Sequence, residues 1–231
     1  RYQAWAKNPD AEYGQAQIDL KNPRATIESL VNAYAVRHQP AKTEADVWLD
    51  HAEGNSRYYP VLQTLFPEAR FIHIVRDGRA VCAAITSSQE GPHNAYIASR
   101  LWDDQLRLGI TVEIAEGHNC LRIRHEDLLR EPRVLLTHIQ EFIGVPYDAG
   151  LDLPDDQPLT RPGEQDGSLK PVEVRDFEGH PASHALLSSL GYAPSHQASP
   201  PLSRQRLLNR HCHEFLLQLL NWRHVSGADY A

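Results

Sequence analysis

Arg76 and Arg79 stand where an apolar run meets a run of small side chains. Phe71, Ile72, Ile74 and Val75 give the first run the character of a buried strand, and Ala80 to Ile85 is helix-forming material. Arg76-Asp77-Gly78-Arg79 is then the turn between strand and helix. In open α/β sheets ligands sit where strands end and helices begin. A helix N-terminus adds free N–H groups and the positive end of its dipole. Two guanidinium groups at such a corner describe a phosphate or sulfate site, because each presents a planar set of N–H donors to an oxyanion. The competing reading is a surface pair salt-bridged to Asp77 and its neighbours.

A second cluster, His211-Cys212-His213, invites a metal, but neighbours on one helix point apart and one ion cannot easily take all three. No metal site is therefore expected. The chain has no Gly-x-x-x-x-Gly-Lys-Ser/Thr, no Gly-x-Gly-x-x-Gly, no His-Glu-x-x-His and no Gly-x-Ser-x-Gly elbow.

The elements that must position the arginines follow from periodicity. Asn22-Pro23 is a helix start, and Ile27, Leu30, Val31 and Tyr34 mark one face to about residue 38. Asp46–Asp50 is a short strand candidate, followed by a helix capped by Asn55 or Ser56 and ended near Pro67. After the strand–turn–helix come a long helix from about Ala95 to Ala115, a strand from Cys120 to Ile123, and a helix opened by Pro132 and closed by Gly144. Strands alternating with helices indicate a parallel sheet with flanking helices. Residues 149–182 are rich in proline, glycine and acids without a period, and a loop of that length is functional or disordered. A helix around Ala182–Leu190 ends at Gly191, a Pro/Ser linker follows, and an amphipathic helix repeats its apolar pairs every four residues from Leu207 to Leu220.

Composition narrows the class. With 231 residues, 41% hydrophobic and 23% charged, the chain suits one large domain or a domain with an appendage. A net charge of −7 argues against a general nucleic-acid surface but leaves room for a local basic pocket. No apolar run approaches membrane-spanning length, and no signal-peptide pattern opens the sequence. Cys82, Cys120 and Cys212 are odd in number and widely spaced, which suits a reducing compartment and a cytoplasmic location. The lack of any methionine, with Arg1 first, leads us to expect that the native N-terminus lies elsewhere.

The stretch from Phe66 to Ser88 resembles the 3′-phosphate-binding segment of sulfotransferases that use 3′-phosphoadenosine 5′-phosphosulfate (PAPS). Phe66, Pro67, Ala69, Phe71, Ile72, Ile74, Val75, Arg76, Asp77 and Arg79 fit that pattern. Ala80 stands where the family has aspartate, and Ala84 where it has the serine that shares the 3′-phosphate with the arginine. A second resemblance runs from Leu121 to Pro132 and on to Gly144, with Glu126, Asp127, Leu128, Pro132, Phe142 and Gly144 matching and His125 replacing a tyrosine that lies near the adenine in many members. The acids here either serve that site or merely cap a turn. A third is Trp48-Leu49-Asp50-His51-Ala52-Glu53-Gly54-Asn55, similar to the family's strand end beside the transferred sulfonate. His51 occupies the lysine position there. Leu190-Gly191-Tyr192 also looks like bacterial members and reads as a helix stop with an aromatic plug. The family's 5′-phosphosulfate loop, typically Arg-Ser-Gly-Thr-Thr, has no match, so the likeness covers roughly residues 46–145 with a weaker match near 183–192.

The resemblance implies an α/β fold of P-loop NTPase-like sulfotransferase architecture. Residues 1–192 would form that domain, with loop 149–182 over the acceptor, and residues 193–231 a linker and C-terminal helix able to contact a second copy. It implies transfer of a sulfonate from PAPS to an acceptor hydroxyl or amine of a small molecule, carbohydrate or lipid, releasing adenosine 3′,5′-bisphosphate. Arg76 would anchor the 3′-phosphate with Arg79 in support, His125 would meet the adenine, and His51 would act as base or charge stabiliser. The alternatives are a sulfotransferase-like module without catalysis and another phosphate-handling, kinase-like transferase.

Overall fold

The computed structural model describes residues 17–38 (the last three as backbone only), 47–52, 54–88, 91–146, 174, 177–178 and 180–193. The chain divides into two units, Arg1–Ala69 and Arg70–Ala231.

In the first unit, α1 (Pro23–His38) begins as predicted. The Asn22 side chain accepts from the Ala25 N–H at 3.1 Å, and Pro23 takes the first turn, where no N–H is needed. Arg24 holds α1 to the end of α2 (Asn55–Leu65): it donates to Glu28 at 2.8 Å, to the Leu65 carbonyl at 3.1 Å and to Glu68, and lies over the Phe66 ring. The strand expected over 46–50 is absent from the described part, residues 47–50, which carry no regular structure. Apolar alternation forms a strand only where a neighbour takes its N–H and C=O groups. Leu49 is instead exposed, and Trp48 meets Phe66 edge-on with ring centroids 5.7 Å apart. The cap of α2 also differs from expectation. Gly54 holds the cap position without a side-chain bond, while the Asn55 amide donates backward to the Asp50 carbonyl at 3.2 Å.

The second unit is a mostly helical α/β arrangement around a small sheet. β1 (Phe71–Val75) and β2 (Cys120–Arg124) pair in parallel, with Phe71 opposite Cys120 and Val75 opposite Arg124. α3 (Gly78–Ser87) leaves β1, and α4 (Ala95–Glu116) returns the chain. Asn94 starts α4 by accepting from Ile97 N–H at 2.9 Å, and Gly117, at φ 56, stops it. α5 (His125–Arg130) follows β2 directly, then α6 (Pro132–Ile143), which ends at Gly144 in the left-handed conformation. α7 (Pro181–Ser189) comes last among the described elements.

α4 is the spine of this unit and packs on both strands, on α3 and on α7. Val75, Cys82, Ala98, Trp102, Leu106 and Leu187 form the core there. Periodicity overlooked three features. Ile74 in the supposedly buried strand is 53% exposed. α5 is a helix of its own, too short to show a period. Phe177 and Glu178, within the stretch expected to cover an acceptor, are completely buried, and the Phe177 ring tilts against Trp102 with centroids 5.4 Å apart. The rest of 149–173, the linker, the C-terminal helix and His211-Cys212-His213 lie outside the described residues. Among the described residues no helix is long and apolar enough to cross a membrane, and no three His, Cys, Asp or Glu side chains are grouped to hold a metal.

Candidate functional site

Because β1 and β2 are parallel and in register to their last residues, both chains leave the sheet at one edge. Arg76 follows Val75 there, and Arg124 is the residue paired with Val75. A cavity of about 400 Å³ opens at this edge. The β1–α3 junction contributes Arg76, Asp77 and Ala80 to its wall. The β2–α5 junction contributes Arg124, His125, Glu126 and Leu129, and Tyr192 closes it from beyond α7. This is the strand-end position at which open α/β sheets bind ligands.

The two junctions are tied together by Glu126. One carboxylate oxygen accepts the backbone N–H of Asp77 at 2.9 Å, and the other accepts the Tyr192 hydroxyl at 2.7 Å. Burial pushes the Glu126 carboxyl up, but the Asp77 N–H, the Tyr192 hydroxyl and the nearby Arg124 charge outweigh it and hold the group below its ordinary value. Tyr192 is driven the other way, first by burial and then by the carboxylate it bonds. Glu126 does more than cap a local turn: besides its place in the first turn of α5, it braces another segment of the wall.

Asp77 caps α3 by accepting the Arg79 N–H at 2.9 Å. The same carboxylate grips the Arg79 guanidinium at 2.6 Å, and Arg79 reaches on to the fully buried Glu178 at 3.2 Å and to the Ala193 carbonyl at 3.1 Å. The hydrogen bond to Asp77 is the main reason its basicity is raised. Arg79 is thus the brace of the turn and does not line the cavity.

Arg76 and His125, singled out separately in the sequence, line one cavity. His51 belongs to the other unit, where it is exposed beside a turn made by Asp50, whose carboxylate accepts the Ala52 N–H at 3.0 Å. Ala84, at the family's serine position, is an exposed residue of α3. Thr86 and Ser87 do not stand in for that serine, because their hydroxyls donate to the Cys82 and Ala83 carbonyls of their own helix, each at 2.8 Å. Sequence reasoning missed Arg124 and Tyr192 as wall residues. The signal available for Arg124 was its place at the end of a strand parallel to β1; for Tyr192 nothing local pointed to a partner 66 positions away.

Comparison with known proteins gives the chain's family. Protein-tyrosine sulfotransferase A of Caenorhabditis elegans is 27% identical over 93 residues, covering 38% of this chain and 24% of that protein. The chain therefore spans about a quarter of the length of that relative. A family model described as the Sulfotransferase family matches residues 2–149, which include both strands and most of the cavity wall. With more than half of its length matched, the chain belongs to the sulfotransferase family.

Proposed function

We propose that the protein transfers a sulfonate group from PAPS to an acceptor hydroxyl or amine, within a P-loop-like sulfotransferase domain. One observation carries the reading: Arg76 and His125 line the same cavity at the strand-end edge, in a chain of this family. The donor set suits a nucleotide phosphate. Two carboxylates of the wall hold other groups, Asp77 the Arg79 guanidinium and Glu126 the Asp77 N–H and the Tyr192 hydroxyl, while Arg76, Arg124 and His125 line the same cavity. One buried donor, Nε of Arg124, has no hydrogen-bond partner among the described residues.

PAPS supplies the sulfonate, which passes by in-line displacement as the acceptor gives up a proton, a new S–O or S–N bond forms and the S–O bond to the departing phosphate breaks. Arg76 anchors the 3′-phosphate, and His125 stacks on or hydrogen-bonds the adenine. Arg79 supports both indirectly by fixing the turn. His51 accepts the acceptor's proton or, protonated, stabilises the departing charge. Catalysis then rests on positioning and fixed charge. The acceptor is a small molecule, carbohydrate or lipid; the nematode relative adds a protein tyrosine to the range. A cytoplasmic location suits the free thiols Cys82 and Cys120.

Calorimetry with adenosine 3′,5′-bisphosphate on the full-length gene product tests the reading. Arg76→Ala is expected to weaken binding by ~1.5–3 kcal/mol, and His51→Ala to reduce turnover while leaving that affinity in place. Unchanged affinity in the first variant removes Arg76 from the site. Ala84 favours a second reading, a relative that binds the nucleotide without turnover; binding with no transfer to any acceptor class identifies it.

A further inference from the structure

The cavity holds a second arginine whose surroundings differ from those of Arg79. Arg79 is neutralised by Asp77 and Glu178. No carboxylate of the described residues pairs with Arg124 at salt-bridge distance; the Tyr192 hydroxyl, and then the charges of Asp127 and Glu126, raise its basicity. Its guanidinium lies over the Tyr192 ring, with Cζ 4.4 Å from the ring centroid. Its Nε is buried without an acceptor among the described residues. Glu126, the carboxylate beside it in the wall, has one oxygen on the Asp77 N–H and the other on the Tyr192 hydroxyl.

An aromatic face under a guanidinium fixes the plane of the fork while leaving its edge N–H groups available to an oxyanion. A half-buried guanidinium with no carboxylate paired to it gains from an anion at the edge of the fork that faces the cavity. Register adds direction: Val75 lies opposite Arg124, so Arg76 leaves β1 one residue beyond the level of Arg124 on β2, and both residues line the same cavity. The serine that would share the phosphate on the α3 side is replaced by Ala84.

We propose that Arg124 is a second phosphate-binding residue, which grips from the β2 side the same 3′-phosphate that Arg76 holds from the β1 side, with Tyr192 as the positioning residue beneath it. The inference rests on the functional reading above. Tyr192 performs two tasks in it: its ring orients Arg124, and its hydroxyl donates to Glu126 at 2.7 Å and so holds that carboxylate against the wall.

The test compares adenosine 3′,5′-bisphosphate with adenosine 5′-monophosphate by calorimetry on the full-length protein. The Arg124→Gln variant is expected to lose roughly tenfold to a hundredfold in bisphosphate affinity while its affinity for the monophosphate stays the same. A merely structural role lowers both together. Because the substitution touches a packed ring, a second measurement uses the unaltered protein. Arginine-selective labelling with phenylglyoxal, mapped by mass spectrometry, is expected to show Arg124 and Arg76 both protected by the bisphosphate and neither by the monophosphate. Protection of Arg76 alone, or a folded Arg124→Gln protein with full bisphosphate affinity, overturns the inference and leaves the functional reading standing. Failure of the unaltered protein to bind the bisphosphate overturns both.

Discussion

Glu126 shows how one side chain sets the form of the site. Its two oxygens accept from two segments far apart in sequence, the Asp77 backbone and the Tyr192 hydroxyl. Its carboxyl is held below the ordinary glutamate value when folded, so ionised Glu126 stabilises the fold above the unfolded-state pKa. That contribution disappears as pH falls through the folded pKa. The melting temperature is therefore expected to drop as pH is lowered from ~5 toward ~3, and Glu126→Gln is expected to make that drop shallower. A variant with an unchanged pH profile would show that the two hydrogen bonds do not stabilise the charged form. Asp103, between Ser183 and His180, works against this trend. Burial raises it above its ordinary value, so its contribution weakens as pH rises through the carboxylate range. The observed profile is the sum of the two.

At the scale of elements, the β1–turn–α3 segment depends on close packing that only one residue type permits. A Cβ on Gly78 would lie 2.6 Å from Cζ of Phe177 and 2.7 Å from the Trp102 ring. No left-handed φ is involved, because Gly78 is absent from the residues with positive φ. The constraint is space at the first turn of α3, where the helix meets α4 and the buried Phe177. Gly78→Ala is expected to destabilise the protein by ~1–3 kcal/mol through overpacking, read as a lower urea midpoint with the slope unchanged. The same displacement would move Arg76 and Asp77, so bisphosphate affinity should fall in parallel. An unchanged midpoint would mean that Phe177 yields without cost. The segment was legible in sequence because strand, turn and helix each carry a local period or breaker. The Asn22-Pro23 start and the Gly144 stop were legible for the same reason. The 47–50 stretch was misread because strand formation needs a partner, and alternation records only one of the two chains involved.

For the molecule as a whole, the described cavity lies entirely within the unit from Arg70 onward. A ligand that binds only the folded state stabilises it by mass action. Adenosine 3′,5′-bisphosphate at a hundredfold excess over Kd is expected to add ~2.7 kcal/mol, which corresponds to roughly 5–10 °C in melting temperature for a chain of this size. Hydrogen exchange should slow at the ends of β1 and β2 and at Tyr192. Stabilisation with protection confined to residues before Arg70 would place the nucleotide elsewhere.

The amino-acid sequence alone determined the local units: the strand–arginine–helix corner, the second strand with its acidic sequel, the proline and glycine boundaries, and the family likeness they carry. These are settled by neighbours within one or two turns of chain, and periodicity records such neighbours. Tertiary structure alone decided the division of labour between the arginines. Arg76 and Arg79 are equivalent as residue types, yet Glu178, 99 positions downstream of Arg79, turns one into a brace. Arg124 has no such carboxylate partner among the described residues and meets a tyrosine ring instead. Whether a guanidinium is neutralised or left to an incoming anion depends on which distant groups folding brings within a few ångströms, and no local pattern encodes that distance.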